Sequence, residues 1–322
     1  MNTVSTSEKK RNNPLKNGFD YYRQGLIYGR NGRHDDALIE FSQALQILPE
    51  FVPAWIGRGF ALGKLGRYSE EIECCDRALR IDPFFVDAWI NKGFAFGMIG
   101  SFEKKVECCN RALIVDPGNA TAWNNKGVAL GMLGRYEEEI MCCNQAIRFR
   151  GKYLSAWVNK GFALNKLNRY YEAIECFDRA LKIYPYYFSA LNYRAQSLIH
   201  IKKYSDALVN LEKVLSLQPH HAGSLYRKGL ALSALGRHDE AILNLKEALE
   251  LDSSIADAWV VLSNSCFALG RLEESARAFD QAYYIDIHDV RQGIVKGMLL
   301  LKAGKFDEAL HSFSDVFGIL LR

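Results

Sequence analysis

Large apolar residues recur along the chain at a fixed interval of 34 residues. Trp55, Trp89, Trp123 and Trp157 follow one another at that interval, and Trp259 lies three intervals beyond the last of them. A single globular core has no reason to place its largest side chains on a fixed period, whereas stacked copies of one small structural unit do. The pattern therefore predicts a repeat protein.

Small residues and prolines follow the same period. Counting each repeat from three residues before its tryptophan, glycine recurs at the eighth and fifteenth places, alanine at the twenty-seventh and proline at the thirty-second, as in Gly59, Gly66, Ala78 and Pro83. No insertion or deletion breaks this register between residue 18 and the C-terminus. The register predicts nine repeats, at 18–51, 52–85, 86–119, 120–153, 154–187, 188–221, 222–255, 256–289 and 290–322.

Each repeat is predicted to form two antiparallel helices. In repeat two, Trp55, Gly59 and Leu62 recur at the spacing of one helical face, and a second apolar face follows after Gly66. Glycine favours a turn at this point because a positive φ costs it little. Pro83 then stands after the second helix, where a proline is well tolerated. The small residues at the eighth and twenty-seventh places are expected where helices cross closely.

The motif residues resemble those of the tetratricopeptide repeat (TPR) family. The resemblance is carried in repeats four and five by Ala122, Trp123, Asn124, Asn125, Lys126, Gly127, Leu133, Gly134, Arg135, Tyr136, Ala173, Phe177, Ala180 and Pro185. It implies an all-α fold, a right-handed α-solenoid (superhelix) of about nine helix-turn-helix units, with the first helix of each unit lining a concave groove. TPR arrays generally bind peptides or protein segments in that groove and are seldom catalytic, so we expect a protein-binding scaffold and not an enzyme.

Composition and charge are those of an ordinary soluble protein, with 49% hydrophobic and 24% charged residues. No apolar run approaches 18 residues and no secretory signal is visible, which predicts a cytoplasmic protein without membrane contact. Residues 1–17 hold four basic residues against one acidic residue, a net charge of +3, so that +1 of the formal +4 remains for 18–322. A nearly neutral repeat region argues against nucleic-acid binding.

The segment 1–17 is polar and basic, and we expect a disordered, solvating N-terminal tail. The alternative is a weak contact between this tail and an acidic partner.

The eight cysteines suggest a disulfide or metal site, but their positions follow the repeat. Adjacent pairs such as Cys74 and Cys75 recur one repeat apart, too far for disulfides, which need Cα atoms within about 7 Å. Neighbouring residues on a helix also point in different directions, which does not suit zinc. We expect reduced, buried thiols acting as small apolar residues. No histidine motif, phosphate-binding loop or nucleophile elbow is present, so neither cofactor nor metal is expected.

Repeats two to four depart from the family at two places in the second helix. Glu71, Lys105 and Glu139 stand where the family favours a small residue and five other repeats have alanine. Cysteine also replaces the usual aromatic residue of the same helix, so a larger side chain accompanies a smaller one.

The predicted binding residues lie on the first helices of repeats two to five. Asn91, Asn125 and Asn159 share the sixth place and resemble the asparagine ladder of the TPR domain in O-linked N-acetylglucosamine transferase. A carboxamide offers a donor and an acceptor to a peptide backbone. Asn124 is included in the predicted site beside this ladder. The alternative is that asparagine is merely tolerated at a solvated position.

An apolar strip runs beside the ladder. It is formed by Ile56, Phe60, Ile90, Phe94, Val128, Val158 and Phe162, with Met98 and Met132 one turn further on. Exposed apolar residues in a row usually mark an interaction surface, although these could instead pack against the neighbouring repeat. Gly63, Gly97 and Gly131 flank the strip and leave room either for a ligand or for tighter packing of the repeats.

A basic ladder occupies the seventh place, as in Arg58, Lys92 and Lys126. It could attract an acidic peptide, or its alkyl stems could lie along the repeat interface and its charges pair with nearby carboxylates.

An alternative function comes from the C-terminal segment Phe317-Gly318-Ile319-Leu320-Leu321-Arg322. It lacks the polar cap that solenoids normally need. The uncapped end predicts either a structural self-assembly module, such as a homodimer formed through the C-terminal end, or a chain that is part of a longer protein.

Overall fold

The computed structural model describes residues 17–285 and, beyond them, residues 296–298, 300, 302, 304, 305, 307–309 and 311. Residues 17–285 contain sixteen α-helices. The tail predicted at 1–17 (apart from residue 17), most of repeat nine and the C-terminal segment 317–322 lie outside the described residues. The disordered tail and the self-assembling end therefore stay predictions.

The chain divides into two compact units, Met1–Asn159 and Lys160–Arg322. The helices that begin in the first unit are α1 (Gly18–Arg30), α2 (His34–Ile47), α3 (Val52–Lys64), α4 (Tyr68–Ile81), α5 (Val86–Met98), α6 (Phe102–Val115), α7 (Ala120–Met132), α8 (Tyr136–Phe149) and α9 (Leu154–Lys166), the last of which continues into the second unit. The second unit continues with α10 (Tyr170–Ile183), α11 (Phe188–His200), α12 (Tyr204–Leu217), α13 (Ala222–Ala234), α14 (His238–Leu251), α15 (Ala256–Ala268) and α16 (Leu272–Ile285).

A tight turn at the fifteenth place joins the two helices of each repeat. The backbone there is left-handed, with φ of +76° at Gly66 and +75° at Gly134, a conformation that glycine adopts without a steric penalty. Asn168 and Lys202 occupy the same place in repeats five and six with φ of 59° and 61°. The backbone turn is therefore kept even where glycine is absent.

The eighth-place glycines lie where the two helices of a repeat approach most closely. A Cβ on Gly25 would lie 2.7 Å from the ring of Phe41, and one on Gly59 would lie 3.2 Å from the Cβ of Cys74. Aromatic rings and cysteines on the second helix thus pack directly over a bare backbone. The predicted role of these glycines at helix crossings is confirmed.

Each tryptophan ties its helix to the turn that precedes it. The indole Nε1–H donates a hydrogen bond to a backbone carbonyl six residues earlier, and the N···O distance is 2.8 Å from Trp55 to Pro49 and 3.0 Å from Trp259 to Ser253. Trp89, Trp123 and Trp157 make the equivalent bond. The tryptophans are only half-buried, so the 34-residue period reflects a hydrogen bond as well as packing.

The eight cysteines are all free and buried, as predicted. Burial raises the pKa of the Cys74 thiol to about 11 and that of Cys142 also to about 11, so both stay protonated near neutral pH. They act as small apolar core residues.

The predicted all-α fold of consecutive helix pairs is confirmed. None of the helices in the described part of the chain is long and apolar enough to cross a membrane.

Candidate functional site

Two adjoining clefts open between the first helices of the first unit. The first cleft, of about 410 Å³, lies among α1, α2, α3 and α5 and is lined by Tyr22, Gly25, Leu26, Gly29, Arg30, Phe41, Pro53, Ile56, Gly57, Phe60, Ala61 and Asn91. The second cleft, of about 380 Å³, is lined by Phe60, Gly63, Lys64, Tyr68, Glu71, Ile90, Asn91, Phe94 and Asn125. Phe60 and Asn91 line both clefts and join them.

Half of the predicted binding residues lie in these clefts. Ile56 lines the first cleft, Ile90, Phe94 and Asn125 line the second, and Phe60 and Asn91 line both. Glu71, which also lines the second cleft, was not predicted. Two carboxamides thus face the same space as large apolar side chains. Phe60 and Phe94 remain 48% and 47% exposed, so these rings are available to a ligand.

The rest of the asparagine ladder is occupied inside the protein. Asn124 is buried, and its Oδ1 accepts a hydrogen bond of 3.0 Å from Nδ2 of Asn159. This bond engages the amide that the prediction assigned to a peptide. Asn91 and Asn125 are the ladder members that line the clefts.

The remaining apolar candidates differ in exposure. Met98 and Met132 are 50% and 62% exposed on the ends of α5 and α7, and Val128 is half-buried. Val158 is buried, so at this position the alternative of packing inside the repeats holds. Phe162 belongs to the second unit, where its ring packs against that of Tyr193 with centroids 5.3 Å apart.

The three flanking glycines make room for charged residues of the protein itself. A methyl group on Gly63 would overlap the carboxyl of Glu71, and Gly131 is related to Glu139 in the same way. At Gly97, a Cβ would lie 2.8 Å from Cδ of Lys105. At these three places the space next to the glycine is taken by a side chain of the same repeat, and Gly63 also lines the second cleft, so its proposed role in making room for a ligand stays a prediction. The sequence carries a sign of this pairing, because the three repeats with a charged residue in place of alanine also have these glycines on the first helix.

The two glutamates are buried without full hydrogen bonding. Glu71 and Glu139 are 2% and 3% exposed, and Oε2 of each has no hydrogen-bond partner within the described part of the chain. Burial raises the pKa of Glu71 to about 7 and that of Glu139 to about 8, while the charge of Lys64 opposes the shift at Glu71. An unpaired carboxyl group in a protein interior is costly when ionised.

The basic ladder is engaged along the repeat interfaces. Nζ of Lys92 lies 2.6 Å from Oδ1 of Asp76 in the preceding repeat, and it also lies 5.4 Å from the ring centroid of Trp89. Nζ of Lys126 stands 5.4 Å from the ring of Trp123. These contacts agree with the interface interpretation, and neither Lys92 nor Lys126 is among the residues that line the two clefts.

Comparisons with known proteins agree with the repeat pattern. Models of the tetratricopeptide repeat match residues 155–187, residues 22–84, 193–251 and 226–290, and residues 108–141, which together cover well over half of the chain. A comparison with curated protein sequences finds no match.

Several solved structures share the fold. The chain is similar to pilF of Pseudomonas aeruginosa, with 22% identity, a TM-score of 0.58, and coverage of 63% of this chain and 92% of that one. A chain of the APC/C hetero-tetramer Cut9-Hcn1 shows 13% identity and a TM-score of 0.58 over 95% and 75%. YrrB, described as a TPR protein with an unusual peptide-binding site, shows 20% identity and a TM-score of 0.52 over 62% and 99%.

Proposed function

The chain belongs to the tetratricopeptide repeat family, and on that premise we propose that it is a non-catalytic protein-binding scaffold. In this proposal the two clefts of the first unit hold an extended segment of a partner protein. The description of YrrB as a protein with a peptide-binding site supports the class of ligand.

The observation that carries the proposal is the placement of Asn91 and Asn125 in clefts lined by Phe60 and Phe94. Each carboxamide can donate to a peptide carbonyl and accept from a peptide N–H, so it holds a backbone without reading its side chains. The exposed rings offer apolar surface to the side chains on either side. Backbone grip and apolar contact together suit an extended peptide.

A peptide-library selection tests this proposal. We expect the wild-type protein to enrich peptides from a phage-displayed random library, and we expect an Asn91→Ala/Asn125→Ala variant to lose most of that enrichment. Asn110→Ala/Asn144→Ala is the matched control, because these two asparagines are exposed on the second helices α6 and α8. Circular dichroism melts establish that all three proteins are folded.

The proposal fails if the wild-type protein enriches no peptides. It also fails if the cleft variant and the control variant enrich the same peptides as the wild type.

We further infer that the protein works in a reducing compartment, consistent with the cytoplasm. Eight free thiols are buried in its helix interfaces, where oxidation would introduce polar or bulky groups into close packing.

A further inference from the structure

We propose that the second cleft receives a lysine or arginine side chain of the bound peptide, with the carboxyl group of Glu71 as its counter-charge. This inference rests on the proposed peptide-binding function and names a chemical feature of the partner. Glu71 was not among the residues that the sequence predicted for the site.

Glu71 has the placement of a residue that lacks its partner. It is 2% exposed, it lines the second cleft, and its Oε2 makes no hydrogen bond within the described part of the chain. The missing side chain of Gly63 is what allows the carboxyl to stand at this wall of the cleft. A donor that enters the cleft would meet this wall, where the carboxyl stands beside a bare stretch of backbone.

The other walls of the cleft suit the stem of a basic side chain. Phe60, Ile90 and Phe94 supply apolar surface along which the methylene groups of lysine or arginine can lie. Lys64 shows that the site tolerates a cation over an aromatic face, because its Nζ lies 5.1 Å from the ring centroid of Phe60. Lys64 is itself exposed and leaves Oε2 of Glu71 unbonded.

Charge decides which ligand group fits best. An acidic group would be repelled by an ionised Glu71, and a neutral donor would satisfy the oxygen without neutralising its charge. A cationic donor does both, and hydrogen bonds between charged partners are roughly twice as strong as neutral ones. The asparagines would then hold the peptide backbone while Glu71 selects one side chain.

Binding of a cation should be linked to ionisation of the carboxyl. Burial raises the pKa of Glu71 to about 7, and the other titratable groups that line the cleft are Lys64 on α3 and Tyr68 on α4. The remaining lining residues of α5 and α7 are amides and apolar side chains. A basic ligand favours the ionised form, so its affinity should increase as the pH rises through about 7.

The same peptide library tests the inference with Glu71→Gln and Glu139→Gln. Glutamine keeps the shape and removes the charge, and Glu139→Gln makes the same change at the equivalent buried place two repeats further on. We expect wild type and Glu139→Gln to enrich peptides with lysine or arginine at one fixed distance from apolar residues. We expect Glu71→Gln to enrich apolar peptides without that basic residue.

A peptide pair provides a test that needs no change in the protein. One enriched lysine peptide is compared with its norleucine counterpart by fluorescence anisotropy. On the wild-type protein, we expect the norleucine peptide to bind at least about tenfold more weakly than the lysine peptide, equivalent to about 1.4 kcal/mol. On the Glu71→Gln variant, we expect the affinities of the two peptides to agree within about twofold. The affinity of the lysine peptide for the wild type should rise with pH, and that of the norleucine peptide should not.

The outcomes separate the two proposals. Peptides that depend on Asn91 and Asn125 but carry no preferred basic residue, or that bind Glu71→Gln equally well, overturn the role of Glu71 and leave the peptide-binding function standing. If no enriched peptide depends on the two asparagines, both proposals fall.

Discussion

At the scale of single residues, the repeat consensus and its departures do different work. The eighth-place glycines and the buried cysteines pack the two helices of a repeat together, and each tryptophan bonds its repeat to the turn at the end of the preceding one. Glu71, Lys105 and Glu139 break the consensus, and each stands against a glycine of the preceding helix. The consensus residues therefore explain the fold, and the departures mark repeats two to four as the part of the chain with charged residues between its helices.

The buried glutamates make the stability of the first unit depend on pH. Their folded-state pKa values of about 7 for Glu71 and about 8 for Glu139 lie above the ordinary 4.5, so between these limits the folded state binds more protons than the unfolded chain. The contribution of these two carboxyls to the free energy of unfolding should be greatest below the ordinary pKa and should fall as the pH rises between the two values, by up to ~1.4 kcal/mol per pH unit for each carboxyl. The fall should end above the folded-state values.

Urea denaturation at several pH values between about 5 and 8 measures this effect. A Glu71→Gln/Glu139→Gln variant should lose most of the decline, whereas Glu73→Gln, an exposed residue of α4, should keep it. A wild-type protein with the same pH profile as the double glutamine variant would contradict the burial of ionisable carboxyls.

At the scale of helices and turns, the backbone conformation is conserved more strictly than the residue that adopts it. Seven glycines have φ between +73° and +77°, and Asn168 and Lys202 keep a left-handed φ at the same place. Asparagine is better suited to this conformation than lysine, because its short polar side chain can bond locally. Here Oδ1 of Asn168 accepts a hydrogen bond of 2.6 Å from the hydroxyl of Tyr170.

Replacing Lys202 by glycine should therefore stabilise the second unit. Glycine relieves the strain of the left-handed backbone, but it also has more freedom in the unfolded chain, which offsets part of the gain. The net effect should raise the free energy of unfolding by about 0.5–1 kcal/mol. Asn168→Gly is the matched substitution and should give no gain, because it also removes the bond from Tyr170. The midpoint of urea denaturation, compared at unchanged slope, measures the effect of each substitution. A Lys202→Gly variant no more stable than the wild type would show that the strain at Lys202 is negligible.

At the scale of the whole molecule, the candidate binding residues gather in the first unit. Asn91, Asn125 and Glu71 line one cleft there, while the ladder place in the second unit holds Tyr193 and Arg227. Arg227 is engaged by its own surroundings, because its Nη1 donates to Oδ1 of Asn192 and to the carbonyl of Gly223. The first unit is therefore where we place the peptide-binding function.

Much of this fold could be predicted from the sequence, because a 34-residue period fixes which residues recur on each helix. The site was harder, because the period does not say which residue of one helix meets which residue of the next. Val158 and Phe94 belong to one apolar strip in the sequence, yet the first is buried and the second half-exposed. Asn159 bonds to Asn124, and Gly63 makes room for Glu71, through contacts between helices that spacing alone does not reveal.

Site-specific photo-crosslinking tests the central claim, that the clefts of the first unit hold the peptide. A library-selected peptide is incubated with protein in which p-benzoylphenylalanine replaces Phe94, an exposed ring of the second cleft, or replaces Met141, which is 66% exposed on α8. We predict a peptide adduct at position 94 that free peptide competes away, and none at position 141. Equal adducts at both positions, or an adduct at position 141 alone, would contradict the account.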